Sequence, residues 1–320
     1  MPLDGPRAKI ERARIQLISL QGASDGFFKE HPYTVARPEF DRKGGYYNLR
    51  VQDGPFVLPI EWSVLIGEIA HDLRSALDGL VWQLALLNPN ISEPYFQTAF
   101  PICRVGYGRR GKGGRHYPCF WVWHKKTKRL VPLYKLQSVE KRFVARIEAF
   151  QPYKRGNQGR YNPLLLLEEL NNTDKHRLVT VLGTNMRGFV FTGLAGGRPR
   201  DIHVAGNNGA SFASKGRGSI GSEYKIGVPL KANAKIGQVY PLPLEGVRLL
   251  DVTEDGRLRM KDGKIQTRIE HEVQVNLSIT PQIRFGSGCD AVERLPVIRT
   301  LQGMANEVSR VIESFSGEFN

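Results

Sequence analysis

The spacing of apolar residues changes at Gly183, and this change restricts the fold more than any other feature of the sequence. In four segments before it, apolar side chains recur every three or four residues, the period of an amphipathic helix. Between residues 184 and 286, short segments such as "GFVFTGL" alternate apolar and polar residues and are separated by glycines, as in antiparallel strands. The helical period returns after residue 290. The sequence therefore predicts an α+β fold with a β-rich insertion in a helical core.

Helical periodicity predicts five helices, near residues 6–31, 60–88, 137–150, 163–183 and 290–315. The fourth has a clear start, because Asn162 is a good N-cap and Pro163 suits the first helical position. An N-terminal β-hairpin is expected within residues 32–59. These elements divide the chain into a helical core with its hairpin at 1–183, a β-rich region at 184–286 and a C-terminal helix at 287–320 that returns to the core.

Positive charge is concentrated in one segment. The net charge is +15, yet residues 94–139 hold ten Lys or Arg and no Asp or Glu, while the rest of the chain has 36 basic and 31 acidic residues. The Gly/Arg-rich part, about 104–129, reads as a second insertion. Such a patch attracts polyanions, so RNA or DNA is the expected partner. The predicted phosphate-binding residues are Arg104, Arg109, Arg110, Lys112, Arg115, Lys125, Lys126, Lys128 and Arg129.

Aromatic residues are interleaved with these cations, at Tyr107, Tyr117, Phe120, Trp121 and Trp123. Two interpretations stay open at this point. The rings can stack on the bases of a bound strand, or they can dock a solvated loop onto the core. Because "CFWVW" is strongly apolar, we expect part of it to pack.

Two helices carry polar stripes that can meet. In the second helix, His71, Arg74, Ser75 and Asp78 share one face; in the fourth, Glu168, Glu169, Asn172 and His176 cluster on one face. The fourth helix also contains seven consecutive polar residues, "NNTDKHR". We expect the stripes to pair, which predicts that His176→Ala lowers stability.

This constellation also holds residue types for general acid–base chemistry. The candidate catalytic residues are Arg74, His71, Asp78, Glu168, Asn172 and His176. A purely structural network, or a site for a small ligand, explains the same residues. The cations around His176 also suit a helix C-terminus. A metal-dependent hydrolase using His71, Glu168 and His176 is a further alternative, although no standard metal-ligand spacing is present, so we expect neither metal nor cofactor.

The segments "LRSALD", "FPI", "IEAFQPY" and "DKHR" resemble a widespread group of uncharacterised bacterial and phage-associated proteins. Members of that group typically have "LRSALDH", an Arg-x4-His arrangement similar to that of HEPN-type helical proteins, many of which are metal-independent ribonucleases. The resemblance implies a HEPN-like core in which Arg74 stabilises a phosphate of the RNA. This chain has Gly79 at the position of the expected histidine and Glu168 at that of a second one.

Other classes find less support. No apolar run reaches the ~18 residues of a membrane span, and the charged N-terminus does not read as a secretion signal. The three cysteines form no even disulfide framework, so a cytoplasmic location is expected. Cys103, His116, Cys119 and His124 lack the paired spacing of a zinc finger, and no nucleophile elbow occurs. A homodimer is left open.

Overall fold

The protein is described by a computed structural model. The structure describes residues 2–32, 39–41, 46–50, 52, 56–105, 120–124, 126, 128–184, 188–195, 198–205, 212–213, 219–221, 235–239, 249–250, 260–261, 264–265, 267–268, 276–279 and 282–319. Two compact units are present. The helical unit comprises residues 1–27, 58–182 and 283–320, and the β unit comprises residues 28–57 and 183–282.

Five α-helices lie within these described ranges: α1 at Asp4–Glu30, α2 at Ile60–Leu86, α3 at Lys141–Ala149, α4 at Pro163–Asp174 and α5 at Val297–Glu313. Short 3-10 helices lie at Tyr134–Leu136, Pro152–Tyr161 and Ser316–Phe319. The described strands are Glu39–Asp41 (β1), Tyr46–Arg50 (β2), Trp121–His124 (β3), Arg129–Pro132 (β4), Val181–Thr184 (β5), Gly188–Ala195 (β6), Arg198–Ala205 (β7), Phe212–Ala213 (β8), Ser219–Gly221 (β9), Lys235–Val239 (β10), Leu249–Leu250 (β11), Met260–Lys261 (β12), Lys264–Ile265 (β13), Thr267–Arg268 (β14), Asn276–Ile279 (β15) and Gln282–Phe285 (β16). Helices and small antiparallel sheets together make an α+β protein.

Helix α2 is the centre of the helical unit. It packs against both α4 and α5, and it buries side chains around most of its circumference rather than along one stripe. Leu73, Leu77 and Leu84 are fully buried. Helix α5 buries the predicted apolar stripe at Leu301 and Val308, so α2 is enclosed on several sides.

The β unit is built from antiparallel ladders. A five-stranded sheet has the order β1-β2-β10-β9-β8, and a three-stranded sheet has the order β15-β6-β7. The β6–β7 ladder runs from Gly188 opposite Ala205 to Ala195 opposite Arg198. The predicted division placed the hairpin with the helical core. Strand β2 instead pairs with β10, and residues 28–57 belong to the same unit as residues 183–282.

Helix boundaries differ from the prediction in two places. The predicted helix at 163–183 ends at Asp174, and Val181–Thr184 is a strand. The C-terminal helix begins at Val297 rather than near residue 290, because Pro296 precedes its first turn. The start of α4 is as predicted: the Asn162 side chain accepts from the Leu164 N–H at 2.9 Å and proline occupies the first turn.

No helix in the described part of the chain combines the length and the apolar character that a bilayer crossing requires.

Candidate functional site

The predicted meeting of polar stripes occurs at Arg74. Its Nε donates to Glu168 Oε2 at 2.8 Å, and its Nη1 donates to Asp78 Oδ1 at 2.5 Å. Its Nη2 donates to the Phe100 carbonyl at 2.8 Å. Asp78 Oδ1 also accepts the Phe100 N–H at 2.9 Å. We call this group of four residues the Arg74 network; it joins α2, α4 and the "FPI" segment.

The Arg74 network is closed to solvent on the arginine side. The Arg74 residue is 7% exposed. Burial lowers the pKa of its guanidinium, but the carboxylates of Asp78 and Glu168 more than compensate, so the pKa lies above its ordinary value. Arg74 therefore stays charged, and each of its nitrogens already donates to a protein oxygen. A guanidinium held this way is a structural centre and not a free anion ligand.

The "FPI" segment is held from its other end as well. Gln151, in the "IEAFQPY" segment, is fully buried. Its Nε2 donates to the Pro101 carbonyl at 2.9 Å, and its Oε1 accepts the Cys103 N–H at 3.0 Å. Arg104 then contacts Glu169 on α4. Three of the four segments that carry the resemblance, "LRSALD", "FPI" and "IEAFQPY", thus meet at residues 100–103, immediately before the basic insertion.

The chain is fixed again where the insertion returns. Phe120 is fully buried, and its carbonyl accepts the Leu133 N–H at 2.9 Å. Strands β3 and β4 pair antiparallel, with His124 opposite Arg129. The Ala99 N–H donates to the Lys135 carbonyl at 3.3 Å, which ties the two flanks together. Both ends of the insertion are therefore anchored in the helical unit.

The other end of the α2–α4 contact is open. Arg74 meets Glu168, and two turns earlier in α2 a Cβ built on Gly67 would overlap the Asp174 carboxylate, so the helices run antiparallel. An open cleft of about 570 Å³ lies between α1, α2 and the end of α4, lined by polar groups that include His71 and Asp174. Burial raises the pKa of Asp174, and the charge of His71 acts in the opposite direction.

The six predicted catalytic residues therefore do not form one site. Arg74, Asp78 and Glu168 belong to the Arg74 network, whereas His71 lines the open cleft. Asn172 is exposed on the last turn of α4, and His176 is exposed in the turn that follows the helix. The "NNTDKHR" run thus comprises the last turn of α4 and the three residues that follow it, and the cations Lys175 and Arg177 are placed where the helix dipole favours positive charge.

Two contacts between α1 and α2 were not predicted. Arg12 forms a bidentate ion pair with Asp72, which is 2% exposed. Lys9 Nζ donates to Ser75 Oγ. The signal lies in the spacing: the two donors are three residues apart on α1, and their partners are three residues apart on α2. Matching the polar side chains of two amphipathic helices by this spacing points to both contacts.

Gly79 has a packing role. A Cβ at this position would lie 3.2 Å from Pro6 Cγ, which is tighter than an ordinary contact, so α1 crosses α2 closely here. A histidine at this position would require Pro6 to shift by a few tenths of an ångström. The departure from the "LRSALDH" pattern therefore coincides with a close contact between α1 and α2.

Part of the predicted nucleic-acid surface can be located. Lys126, Lys128 and Arg129 are exposed at the end of the β3–β4 hairpin. Trp121 hydrogen bonds to Glu148 and is half-buried, and together with Phe120 it docks onto the core. The following predicted residues lie outside the described residues: Tyr107, Arg109, Arg110, Lys112, Arg115, Tyr117 and Lys125.

Among the described residues, no group of three or more His, Cys, Asp or Glu side chains is arranged to hold a metal ion. Comparisons with known proteins returned no match: no protein-family model, curated protein or solved structure matches the chain.

Proposed function

We propose that this protein binds nucleic acid through the basic segment, with the Arg74 network serving as the frame that holds the segment's base. The observation that carries the proposal is the charge of residues 94–139, ten cations without one carboxylate. Cations concentrated in this way release counterions from a phosphate backbone on binding, which favours association.

The anchored flanks support the same proposal. Residues 100–103 are tied to Arg74, Asp78 and Gln151, and Phe120 is buried on the returning side. A binding segment presented from a rigid base loses less conformational entropy on association than one on a free tail. The exposed cations Lys126 and Arg129 belong to a hairpin whose ladder is fixed against this base.

Binding without cleavage is the form of the proposal that we favour. The resemblance to HEPN-type ribonucleases assigns Arg74 to a phosphate, but here its guanidinium donates to two carboxylates and a carbonyl. The partner histidine is replaced by Gly79, packed against Pro6. We expect labelled RNA to remain intact after incubation with the protein. RNA cleavage that His71→Ala abolishes would contradict this.

The test is the salt dependence of binding. Arg109, Arg110 and Lys112 are replaced together by glutamine, which removes three charges and leaves Phe120 and the hairpin in place. Deleting 104–129 is a poorer test, because it removes buried Phe120. We expect weaker binding to RNA and DNA, and a slope of log K against log salt that is less steep by about 2, since each phosphate contact contributes about 0.7–0.9.

The matched control replaces Lys29, Lys175 and Arg299 by glutamine. All three are exposed and lie outside the basic segment. The net charge of the two variants is equal, so a general charge effect would weaken both alike. Equal affinities of the two variants, or no binding of the unchanged protein at low salt, would overturn the proposal.

A further inference from the structure

We infer that the bound nucleic acid is single-stranded and that its bases stack on Phe96 and Tyr134 beside a basic cleft; this inference rests on the proposed function. The cleft is the one between the end of α2, the β3–β4 hairpin and the start of α3. The phosphates of the same strand contact the cations of the hairpin and of α3.

Three aromatic rings near this cleft are exposed. Phe96 is 76% exposed, Tyr134 is 44% exposed and Tyr95 is 41% exposed. The rings of Tyr95 and Phe96 lie 4.6 Å apart between centroids, tilted by 58°. Two exposed rings in contact form a small apolar patch, and a patch of this kind is where a binding partner can be covered by protein. These rings lie within the segment that has no carboxylate, although the sequence pointed to other aromatic residues.

Ser138 connects the ring-bearing turn to the cleft. Its Oγ accepts the Tyr95 N–H at 2.8 Å, and its carbonyl accepts from Asn88 Nδ2 at 3.0 Å. Ser138 is 5% exposed, so this link is firm. Asn88 lines the cleft, as do the neighbours of Ser138, Gln137 and Val139. The turn and one wall of the cleft are therefore a single hydrogen-bonded structure.

The cleft itself has the size and lining for a nucleobase. Its volume is about 730 Å³, within the ~300–1,000 Å³ common for ligand sites. Apolar walls come from Val131 and Leu136, and amides from Asn88 and Gln137. An apolar slot with a few amides accepts the flat face of a base and hydrogen bonds to its edge.

Positive charge surrounds the cleft. The cations Lys141 and Arg142 line it beside His124, and exposed Lys126 and Lys128 follow His124 in the hairpin turn. The one carboxylate of the lining, Glu140, lies 3.4 Å from Arg142, which also pairs with Glu318 at 3.4 Å, so the cations available to a ligand here are Lys141, Lys126 and Lys128.

An unpaired strand can bind to all of these groups. Its bases stack on the aromatic rings and in the apolar slot, and its phosphates contact the cations at the rim. A duplex keeps its base faces stacked internally and offers none to Phe96. Charge complementarity also favours an anionic strand over a second copy of this chain, whose net charge is +15.

The experiment compares Phe96→Ala and Tyr134→Ala with Tyr161→Ala. Tyr161 is 58% exposed and lies outside the basic segment, so it controls for loss of an exposed ring. The probe is a labelled single-stranded oligonucleotide of about 12 nucleotides, with the matching duplex as second probe. We expect each of the first two variants to bind the single strand about tenfold more weakly, with an unchanged salt slope and unchanged duplex binding.

Phe96→Trp adds a readout that a structural role would not produce. It keeps a stacking surface, so we expect single-strand affinity within about twofold of the unchanged protein and quenching of the new indole fluorescence on binding. Thermal melting of every variant confirms that it folds.

The outcomes separate the two proposals. If the unchanged protein binds with steep salt dependence but the ring variants bind equally well, the stacking inference is overturned and the proposed function stands. Equal losses on single strand and duplex also overturn it. If Phe96→Ala instead changes the oligomeric state in sedimentation, the rings cover a second copy and the inference fails. If the unchanged protein binds no nucleic acid, both proposals fail.

Discussion

The two ends of the α2–α4 contact use the same residue types with opposite results. At the Arg74 end, one guanidinium is buried and pairs with Glu168 and Asp78. At the Gly67 end, His71 and Asp174 line a cleft that stays open. Because buried charges interact more strongly than hydrated ones, we expect the ion pairs at the first end to contribute more to stability than the hydrated groups at the second. Access of water, and not the identity of the side chains, decides which role a polar stripe has.

The largest expected effect comes from Arg74→Met. This change leaves the carboxylates of Asp78 and Glu168 without their cation, and breaking a buried pair by removing one partner costs about 3–5 kcal/mol of unfolding free energy. Chemical denaturation measures the loss. Lys175→Met, an exposed cation at the open end, is the control and should stay within about 0.5 kcal/mol. Equal denaturation midpoints would show that the two ends do not differ.

A matched pair of amide substitutions sharpens the comparison within α4. Glu168→Gln keeps the shape of the side chain but removes the charge that Arg74 Nε contacts. We expect it to lower the unfolding free energy by about 1.5–3 kcal/mol at neutral pH, the usual contribution of a hydrogen bond to a charged group. Urea denaturation checks this. An increase in stability would mean that the network is over-supplied with negative charge.

For Asp174→Asn, the expected effect on the unfolding free energy has the opposite sign to that of Glu168→Gln. The pKa of Asp174 is raised by burial, so the folded state binds its proton more tightly than the unfolded state does. This group therefore stabilises the fold less as pH rises from its unfolded pKa, near 3.8, through its higher folded pKa. Asparagine removes that decline, and we expect the stability of the variant relative to the unchanged protein to increase from acid to neutral pH.

Unfolding free energies measured between about pH 4 and pH 7 test this sign. Asp25→Asn, at an exposed position on α1, is the control for loss of one carboxylate. A relative stability of Asp174→Asn that decreases toward neutral pH would place Asp174 among the paired groups.

The smallest effect is expected for His176→Ala. The stripe pattern predicts a loss of stability, but the residue is exposed in the turn after α4. Substitution there should change the unfolding free energy by no more than about 0.5 kcal/mol. A thermal melt of the variant is sufficient, and a large drop in melting temperature would restore His176 to the network.

The start of α4 could be predicted and its end could not. Asn162 and Pro163 act locally, so their effect is visible in the sequence. The end depends on a competition: Thr173 Oγ1 donates to the Glu169 carbonyl, and the Thr173 carbonyl accepts from both His176 and Arg177. Asn, Thr and Asp bond to nearby backbone and so weaken a helix interior. The β-branched run after Leu178 was the available signal for a strand.

The candidate site was predictable only where both partners lie on helices. Helical spacing places Arg74 and Glu168 on facing stripes, and the structure joins them. The Phe100 carbonyl and N–H complete the network. Helical spacing cannot predict the position of Phe100, because the path of a loop is not periodic. Spacing also did not predict how the polar face of α2 is exposed: Arg74 is buried, Ser75 and Asp78 are half-buried and His71 is exposed.

The double anchoring of the basic segment has a consequence for how far the segment's length and composition can change. Residues 100–103 and Phe120 hold the entry and exit of the intervening stretch, and the Ala99–Lys135 bond fixes the two flanks to each other. Doubling the length of chain between two fixed ends costs only about 0.6 kcal/mol. We therefore expect the helical unit to keep most of its stability when the stretch between these anchors is changed in length or composition.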